Sequence, residues 1–276
     1  MRGTLFYKMT GSGNDFVMLD GRATTPARWT PAMVQAICDR RQGIGADGLV
    51  ILTPGTPGTV RMSYWNSDGS HGAMCGNAAL CSGRLSVDLE MVPPGEFRLL
   101  TDAGMVRVMS QAQADEAQIN LPDVDLPPGP ADLKPQGAER WLSLSTVGVP
   151  HLVVRVDDVE TVDLLGRGRQ LRSDPKVGPV GANVNFVSQP EAASPWLIRT
   201  FERGVEGETL ACGTGTVAAA LALAVRGEAT LPVTFRSRGG PALVVRAHLE
   251  GSRASDIWLG GQGRLLFRGV WEGRDA

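Results

Sequence analysis

The chain has 276 residues, 42% of them apolar and 20% charged, with a formal net charge of -2, which describes an ordinary globular protein and excludes disorder and collagen-like structure. The balanced charge argues against a nucleic-acid surface, because neutralising several phosphates needs a clustered positive excess. The longest apolar run, at 217–225, is far short of a bilayer span, and the amino terminus shows no apolar core followed by a cleavage site, so the expectation is a cytoplasmic protein without membrane contact.

In chain order, FYKMT and FVMLD read as strands. Thr30-Pro31 followed by AMVQAICDRR reads as a capped helix, since threonine accepts a bond from the first turn and proline suits the first helical position. LVILT and RMSYWN read as further strands. After Cys75 the stretch GNAALCSGRLSVDL has helical spacing, and FRLLTDAGMVRVMS reads as a hairpin. The run LPDVDLPPGPADLKP is rich in proline and aperiodic, which marks a linker and divides the chain into domains 1–120 and 121–276. The second half supplies strands in WLSLSTVGVPHLVVRV, ANVNFVSQ and WLIRTFE and a helix over 213–226. Strands in VTFRSR, ALVVRAHLE, DIWLGG and RLLFRGV follow, the last a candidate to return to the first domain.

The two halves share a specific feature. RMSYWN leads through SDGSHGAM into Cys75-Gly76-Asn77 and a helix, and WLIRTFE leads through RGVEGETLA into Cys212-Gly213-Thr214 and a helix. Asn66 and Glu202 precede their cysteines at nearly the same interval. This reads as a degenerate internal duplication, each copy presenting a thiol at a helix start. Cys38 and Cys81 sit inside helical patterns and read as core residues, and four cysteines without C-x-x-C spacing are too sparse for a disulfide framework.

A helix start leaves backbone N–H groups unpaired and carries partial positive charge, which lowers the pKa of a thiol placed there and makes it a usable base or nucleophile. The same N–H groups bind carboxylate or phosphate, and Gly76 and Gly213 let a ligand come close to the backbone. Two such helices facing one cleft would hold an anionic group with a thiol on either side. That suits proton exchange at a carbon next to a carboxylate: one thiolate removes the proton from one face, and the opposite thiol delivers a proton to the other. No pyridoxal phosphate is required, and none of Lys8, Lys134 and Lys176 sits in an obvious cofactor setting.

Other readings compete. A lone cysteine before glycine is more often a small buried hydrophobe than a catalyst. A zinc site from His71, Cys75, Cys81 and Cys212 has spacings that fit no standard ligand set. GIGADG at 43–48 matches G-x-G-x-x-G but follows a helix and precedes a strand, the reverse of the dinucleotide arrangement. GTGTVA at 213–218 does open a helix, with Arg236 and Arg238 after the next strand as imaginable 2′-phosphate partners, so a nucleotide-binding oxidoreductase stays as an alternative. The long acidic loop with Glu202, Glu206 and Glu208 stands against it.

Through FYKMTGSGNDFVMLD, RRQGIGADGLVIL, YWNSDGSHGAMCGN, VGVPHLVV, NVNF and FERGVEGETLACGTGTVAAA the chain resembles the diaminopimelate epimerases, cofactor-independent two-cysteine isomerases of lysine and peptidoglycan biosynthesis. The resemblance covers nearly the whole chain. In related proline racemases and hydroxyproline epimerases the first cysteine is typically followed by Gly-His, so Asn77 favours the diaminopimelate branch. The resemblance implies Cys75 and Cys212 as the acid/base pair, with Gly76-Asn77 and Gly213-Thr214 around the reacting carboxylate and ammonium. It implies Asn14, Asn66, Asn183 and Arg203 on the substrate, Glu202 at the site, and His151 with Glu202 as tuners of the thiols. No cofactor and no metal are implied. Without the resemblance, Asn66, Asn183 and Arg203 would read as loop caps or surface ion pairs.

The implied fold is α+β: two pseudo-symmetric domains, each a mixed barrel-like sheet wrapped around a central helix, with the active site in the cleft between them. Family members are often homodimers, although the sequence by itself marks no interface. The chain departs from the family at Val149, where Asn is frequent, at Ala78, Leu80, and at Gly48, where some members carry a substrate-binding Gln. These departures bear on substrate choice, so a racemase of another amino acid with the same mechanism is the second hypothesis.

Overall fold

Runs of Val, Ile, Leu and Phe that bury one or both faces form strands throughout the chain. The computed structural model describes residues 3–273 apart from 113, 127, 128 and 131. The chain divides into two units, Met1–Asn120 with Gly260–Ala276, and Leu121–Leu259. Residues 127, 128 and 131 of the segment read as a linker lie outside the described residues.

The first unit contains β1 (Thr4–Gly11), β2 (Asn14–Asp20), α1 (Pro31–Cys38), β3 (Gly48–Pro54), β4 (Thr59–Asn66), the short β5 (His71–Gly72), α2 (Gly76–Asp88), β6 (Gly95–Thr101), β7 (Gly104–Ser110) and β8 (Glu116–Leu121). The second contains β9 (Val124–Asp125), β10 (Gly129–Pro130), β11 (Glu139–Val147), β12 (Val149–Val156), α3 (Leu164–Arg172), β13 (Asn183–Ser188), β14 (Trp196–Glu202), β15 (Gly207–Thr209), α4 (Gly213–Val225), β16 (Val233–Arg236), β17 (Ala242–Glu250) and most of β18 (Arg253–Gln262). The last strand, β19 (Arg264–Trp271), lies in the first unit and pairs antiparallel with β1.

The same topology occurs twice. In the first unit β1 and β2 pair antiparallel, β2 and β3 parallel, β3 and β4 antiparallel, β4 and β6 parallel, and β6 and β7 antiparallel. In the second, β11–β12, β12–β13, β13–β14, β14–β16 and β16–β17 repeat that order. Each parallel step needs a crossover. Helices α1 and α3 lie in the first crossover of each unit, and α2 and α4 in the second. Thr30 caps α1 by accepting from Met33 N–H, with Pro31 in the first turn, as its sequence requires.

Helix α2 touches β1, β2, β3, β4, β7 and β19, and α4 touches β11, β12, β13 and β17, so each sheet wraps its helix without closing. Both helices are almost wholly buried. For α4 this follows from VAAALALAV, apolar on every side. For α2 the interior serines are satisfied locally, Ser82 Oγ donating to Ala78 O and Ser86 Oγ to Ser82 O, both at 2.7 Å. Gly83 permits the close approach to β7, since a Cβ there would stand 2.6 Å from Val108 Cγ1. The opposite sheet faces bury cores around α1 (Val17, Leu19, Val34, Ile37, Leu49, Ile51) and around α3 (Leu152, Val154, Leu164, Leu171, Val184, Phe186).

The sequence reading contains no counterpart of α3. Its segment LLGRGRQLR buries only Leu164, Gly168 and Leu171, too sparse an apolar stripe to stand out. WLSLSTVGVPHLVVRV folds as two antiparallel strands, β11 and β12, about Gly148 at φ 70°.

Candidate active site

Cys75 and Cys212 occupy the same local structure. Each is the N-cap of a 13-residue helix, with extended backbone at φ -139°, ψ 123° and φ -127°, ψ 105°, and neither helix start has a side-chain cap. The first helical bonds run from Ala79 N–H to Cys75 C=O and from Thr216 N–H to Cys212 C=O. The amides of Gly76, Asn77, Gly213 and Thr214 therefore precede the helical ladder and point out of the helix ends, where an anion is favoured. Cys75 is half-buried, Cys212 is buried, and neither is in a disulfide.

Cys38 and Cys81 differ. Both are buried, and desolvation pushes the Cys38 thiol up to about 12 and the Cys81 thiol higher still. They remain protonated core thiols.

In the first unit a chain of side chains leads away from Cys75. Asn77 Nδ2 donates to Asn14 Oδ1 at 2.6 Å, and Asn14 Nδ2 donates to Asp47 Oδ2 at 2.8 Å. Arg40 donates to Asp47 Oδ1 at 2.7 Å and to both oxygens of Asp15, which also pairs with Lys8 at 2.6 Å. Burial opposes ionisation of Asp15, but the bonds from Arg40 and Lys8 outweigh it and lower its pKa to about 2. Asn14 and Asn77 are thus brought together on an ionic base. Asn66 ends β4; its Oδ1 accepts from Tyr64 Oη at 2.7 Å and its Nδ2 donates to Ser70 Oγ at 2.9 Å.

In the second unit the register sets the site. Alternation in NVNF turns Val184 and Phe186 into the α3 core, so Asn183 and Asn185 share the other face. His151 and Asn183 are register partners on parallel strands. His151 is fully buried; its Nδ1 lies 3.3 Å from Asn185 Nδ2 and its Nε2 3.0 Å from Thr214 Oγ1, which is in turn 3.8 Å from Cys212 Sγ. Burial, reinforced by the charge of Arg203, lowers the His151 pKa to about 4. The ring is neutral at neutral pH.

Asn183 Oδ1 accepts from Arg203 N–H at 2.8 Å, and the Arg203 guanidinium donates to Val180 O at 3.4 Å. Among the described residues Arg203 has no carboxylate partner. Burial raises the pKa of Glu202. Between Glu202 and Gly213 the chain forms β15, not the tight strand-to-helix turn of a dinucleotide site. Among the described residues no three His, Cys, Asp or Glu side chains form a group that could hold a metal.

Residues absent from the sequence reading join these networks: Arg40 and Asp47 behind Asn14, Tyr64 beside Asn66, and Asn185 and Thr200 behind His151, Thr200 Oγ1 donating to Asn185 Oδ1 at 2.9 Å. Gly215 belongs with them. A Cβ there would overlap Asn185 Oδ1 and stand 3.2 Å from Cys212 Sγ. The alternation of NVNF was a readable signal for Asn185; the others lie too far apart in sequence to associate by motif.

The family model described as diaminopimelate epimerase matches residues 6–125 and 143–255. A relative named diaminopimelate epimerase, from Gemmatimonas aurantiaca, is 43% identical over 278 residues, covering 96% of this chain and 98% of its own. Among solved structures, a phenazine biosynthesis PhzF-family protein of Enterococcus faecalis is similar with TM-score 0.71 at 14% identity, covering 97% of this chain and 98% of that one. A probable proline racemase of Agrobacterium radiobacter has TM-score 0.67 at 17% identity, covering 96% and 92%. The two structures share the two-domain α+β fold with this chain.

Proposed function

The chain belongs to the diaminopimelate epimerase family, and we propose that it converts LL-2,6-diaminopimelate to the meso isomer by moving protons at one α-carbon through Cys75 and Cys212, without a cofactor. It is an isomerase, and its product serves lysine and peptidoglycan precursor synthesis. The observation that carries the mechanism is the matched placement of the two cysteines as uncapped N-caps of equivalent helices.

Helix starts favour the thiolate. The thiolate of one cysteine takes the α-proton, and the electron pair of the broken C–H bond spreads into the carboxylate. The other cysteine, as thiol, gives its proton to the opposite face, and its sulfur is left as thiolate. One proton leaves the carbon and one arrives, the configuration inverts, and the thiols have exchanged protonation states. Amides of Gly76, Asn77, Gly213 and Thr214 would receive the growing negative charge. Asn14, Asn66, Asn183, Glu202 and Arg203 would bind the remaining polar groups, the Arg203 guanidinium, which donates to Val180 O and has no carboxylate partner among the described residues, suiting the distal carboxylate.

The test is α-proton exchange in D2O with LL-diaminopimelate, proline, histidine and glutamate. Incorporation into diaminopimelate alone, lost in Arg203→Met by roughly a hundredfold in kcat/KM for a lost charge-assisted contact, supports the reading. Faster exchange with a monocarboxylate substrate would replace it with a racemase of another amino acid.

We propose a cytoplasmic location, where reducing conditions keep both thiols usable; no helix among the described residues is long and apolar enough to cross a membrane. We also propose a homodimer through the β1–β19 pair. Leu5 and Val270 are register partners, 46% and 56% exposed, with Leu265, Leu266 and Phe267 exposed beside them. Exposed apolar side chains on these two adjacent strands offer surface that a second copy of the chain would cover about a two-fold axis. Light scattering should give twice the chain mass, and Val270→Lys should halve it.

A further inference from the structure

Tyr64 lies in a slot made by two glycines. A Cβ on Gly48 would stand 2.7 Å from Tyr64 Cε2, and a Cβ on Gly72 would stand 2.5 Å from its Cδ1 and Cε1. Real Cβ atoms do not approach so closely, so both positions must be glycine for the ring to lie where it does. Phe16 packs edge-on against the ring with centroids 6.2 Å apart. The phenol, only 8% exposed, is held on these sides with its oxygen 2.7 Å from Asn66 Oδ1.

The consequence falls on Asn66. Its backbone is fixed by its own N–H to Ser70 O, by Gly69 N–H to its carbonyl, and by its pairing with Gly48 across β3 and β4. Its carboxamide takes one bond from Tyr64 and gives one to Ser70 Oγ. A primary amide has two N–H donors and two acceptor sites on oxygen. One N–H and one lone pair therefore stay available, in directions set by the two protein bonds. Burial, with the nearby Cys75, raises the phenol's pKa, so it keeps its proton and donates.

We propose that Tyr64 is a positioning residue of the epimerisation site, holding the Asn66 carboxamide in the one orientation that meets the polar groups of the substrate. This rests on the reading that Asn66 binds substrate. It also bears on Gly48, where the family resemblance offers a glutamine: a Cβ there would stand 2.5 Å from Trp65 O as well as 2.7 Å from the Tyr64 ring, so no longer side chain fits at 48. The site of this chain then draws its polar contact from an asparagine fixed by an aromatic hydroxyl.

The experiment is steady-state kinetics on LL-diaminopimelate with Tyr64→Phe, Asn66→Ala and the double variant, with thermal unfolding of each. Tyr64→Phe keeps the ring and removes one hydroxyl, so folding should be preserved. KM should rise about five- to tenfold, in line with one lost hydrogen bond, with kcat nearly unchanged. Asn66→Ala should raise KM further, and the double variant should match Asn66→Ala, because the phenol has nothing left to orient. If Asn66→Ala raises KM but Tyr64→Phe does not, the positioning role is wrong. If Asn66→Ala leaves KM unchanged, the substrate contact itself is wrong. Additive effects in the double variant would assign Tyr64 an independent role and also overturn the proposal.

Discussion

His151 Nε2 lies 3.0 Å from Thr214 Oγ1, and that hydroxyl lies 3.8 Å from Cys212 Sγ. The imidazole therefore meets the thiol through the threonine. Asn185 Nδ2 lies 3.3 Å from Nδ1; in the tautomer that carries its proton on Nε2, the ring donates to Thr214 Oγ1. The threonine's own proton is then free to point at sulfur, where it stabilises the thiolate.

Thr214→Val removes this donor while keeping shape and the backbone amide. It should lower kcat about tenfold, as expected for roughly 1.4 kcal/mol of a bond to a charged acceptor, and shift the acidic limb of the kcat profile upward. Thr214→Ser should restore most of the activity. Unchanged kcat and pH profile in Thr214→Val would show that the hydroxyl does not serve the thiol.

The pH dependence of stability gives a second handle on the same histidine. Folding lowers its pKa from 6.5 to about 4 by burial first and by Arg203 second. Between those values the unfolded chain binds the proton and the folded chain does not, so stability falls as pH drops from 6.5 through 4. The shift corresponds to about 3 kcal/mol. Urea midpoints at pH 7 and pH 4.5 should converge in His151→Gln relative to the native protein. An equal pH effect in both would refute the buried neutral ring.

Replacing either Cys75 or Cys212 by Ala should abolish epimerisation, since each face of the stereocentre needs its own proton carrier. A substrate with a leaving group on the β-carbon needs only one base. Each single variant should therefore still eliminate it on presentation of the matching enantiomer, followed by release of the leaving group. Near-normal epimerase turnover in Cys75→Ala would remove the two-thiol mechanism.

The sequence announced the two helix-start cysteines because strand, polar loop, Cys-Gly and helix recur in order, and the paired topologies carry that repeat through both units. It concealed α3, whose glycines and arginines blur the period, although the duplication implies a partner for α1 between β12 and β13. Gly168 in α3 lies flush with Phe201, where a Cβ would stand 2.7 Å from Phe201 Cβ, so a residue that weakens the helical signal is there for packing. Supporting residues such as Tyr64 and Asp47 were illegible for another reason. Their roles depend on register across strands, which no local pattern in the chain encodes.

Gly215 offers the sharpest steric test of that support. It sits in the first turn of α4, in ordinary helical backbone, so alanine there would improve helix propensity if space were free. Space is not free: the added methyl would overlap Asn185 Oδ1 and press on Cys212 Sγ at 3.2 Å. Asn185 holds His151 and accepts from Thr200, so a shift there disturbs the ring and the thiol together. Overpacking of this kind costs about 1–3 kcal/mol. Gly76 is the control, because its Cβ would meet only Ile119 Cδ1 at 3.7 Å, an ordinary contact. Gly215→Ala should lower stability by that amount in urea titrations and reduce kcat at least tenfold, by the same energy scale, whereas Gly76→Ala should leave the urea midpoint nearly unchanged. Equal stability of the two variants would mean that Asn185 yields without consequence and is no support for the histidine.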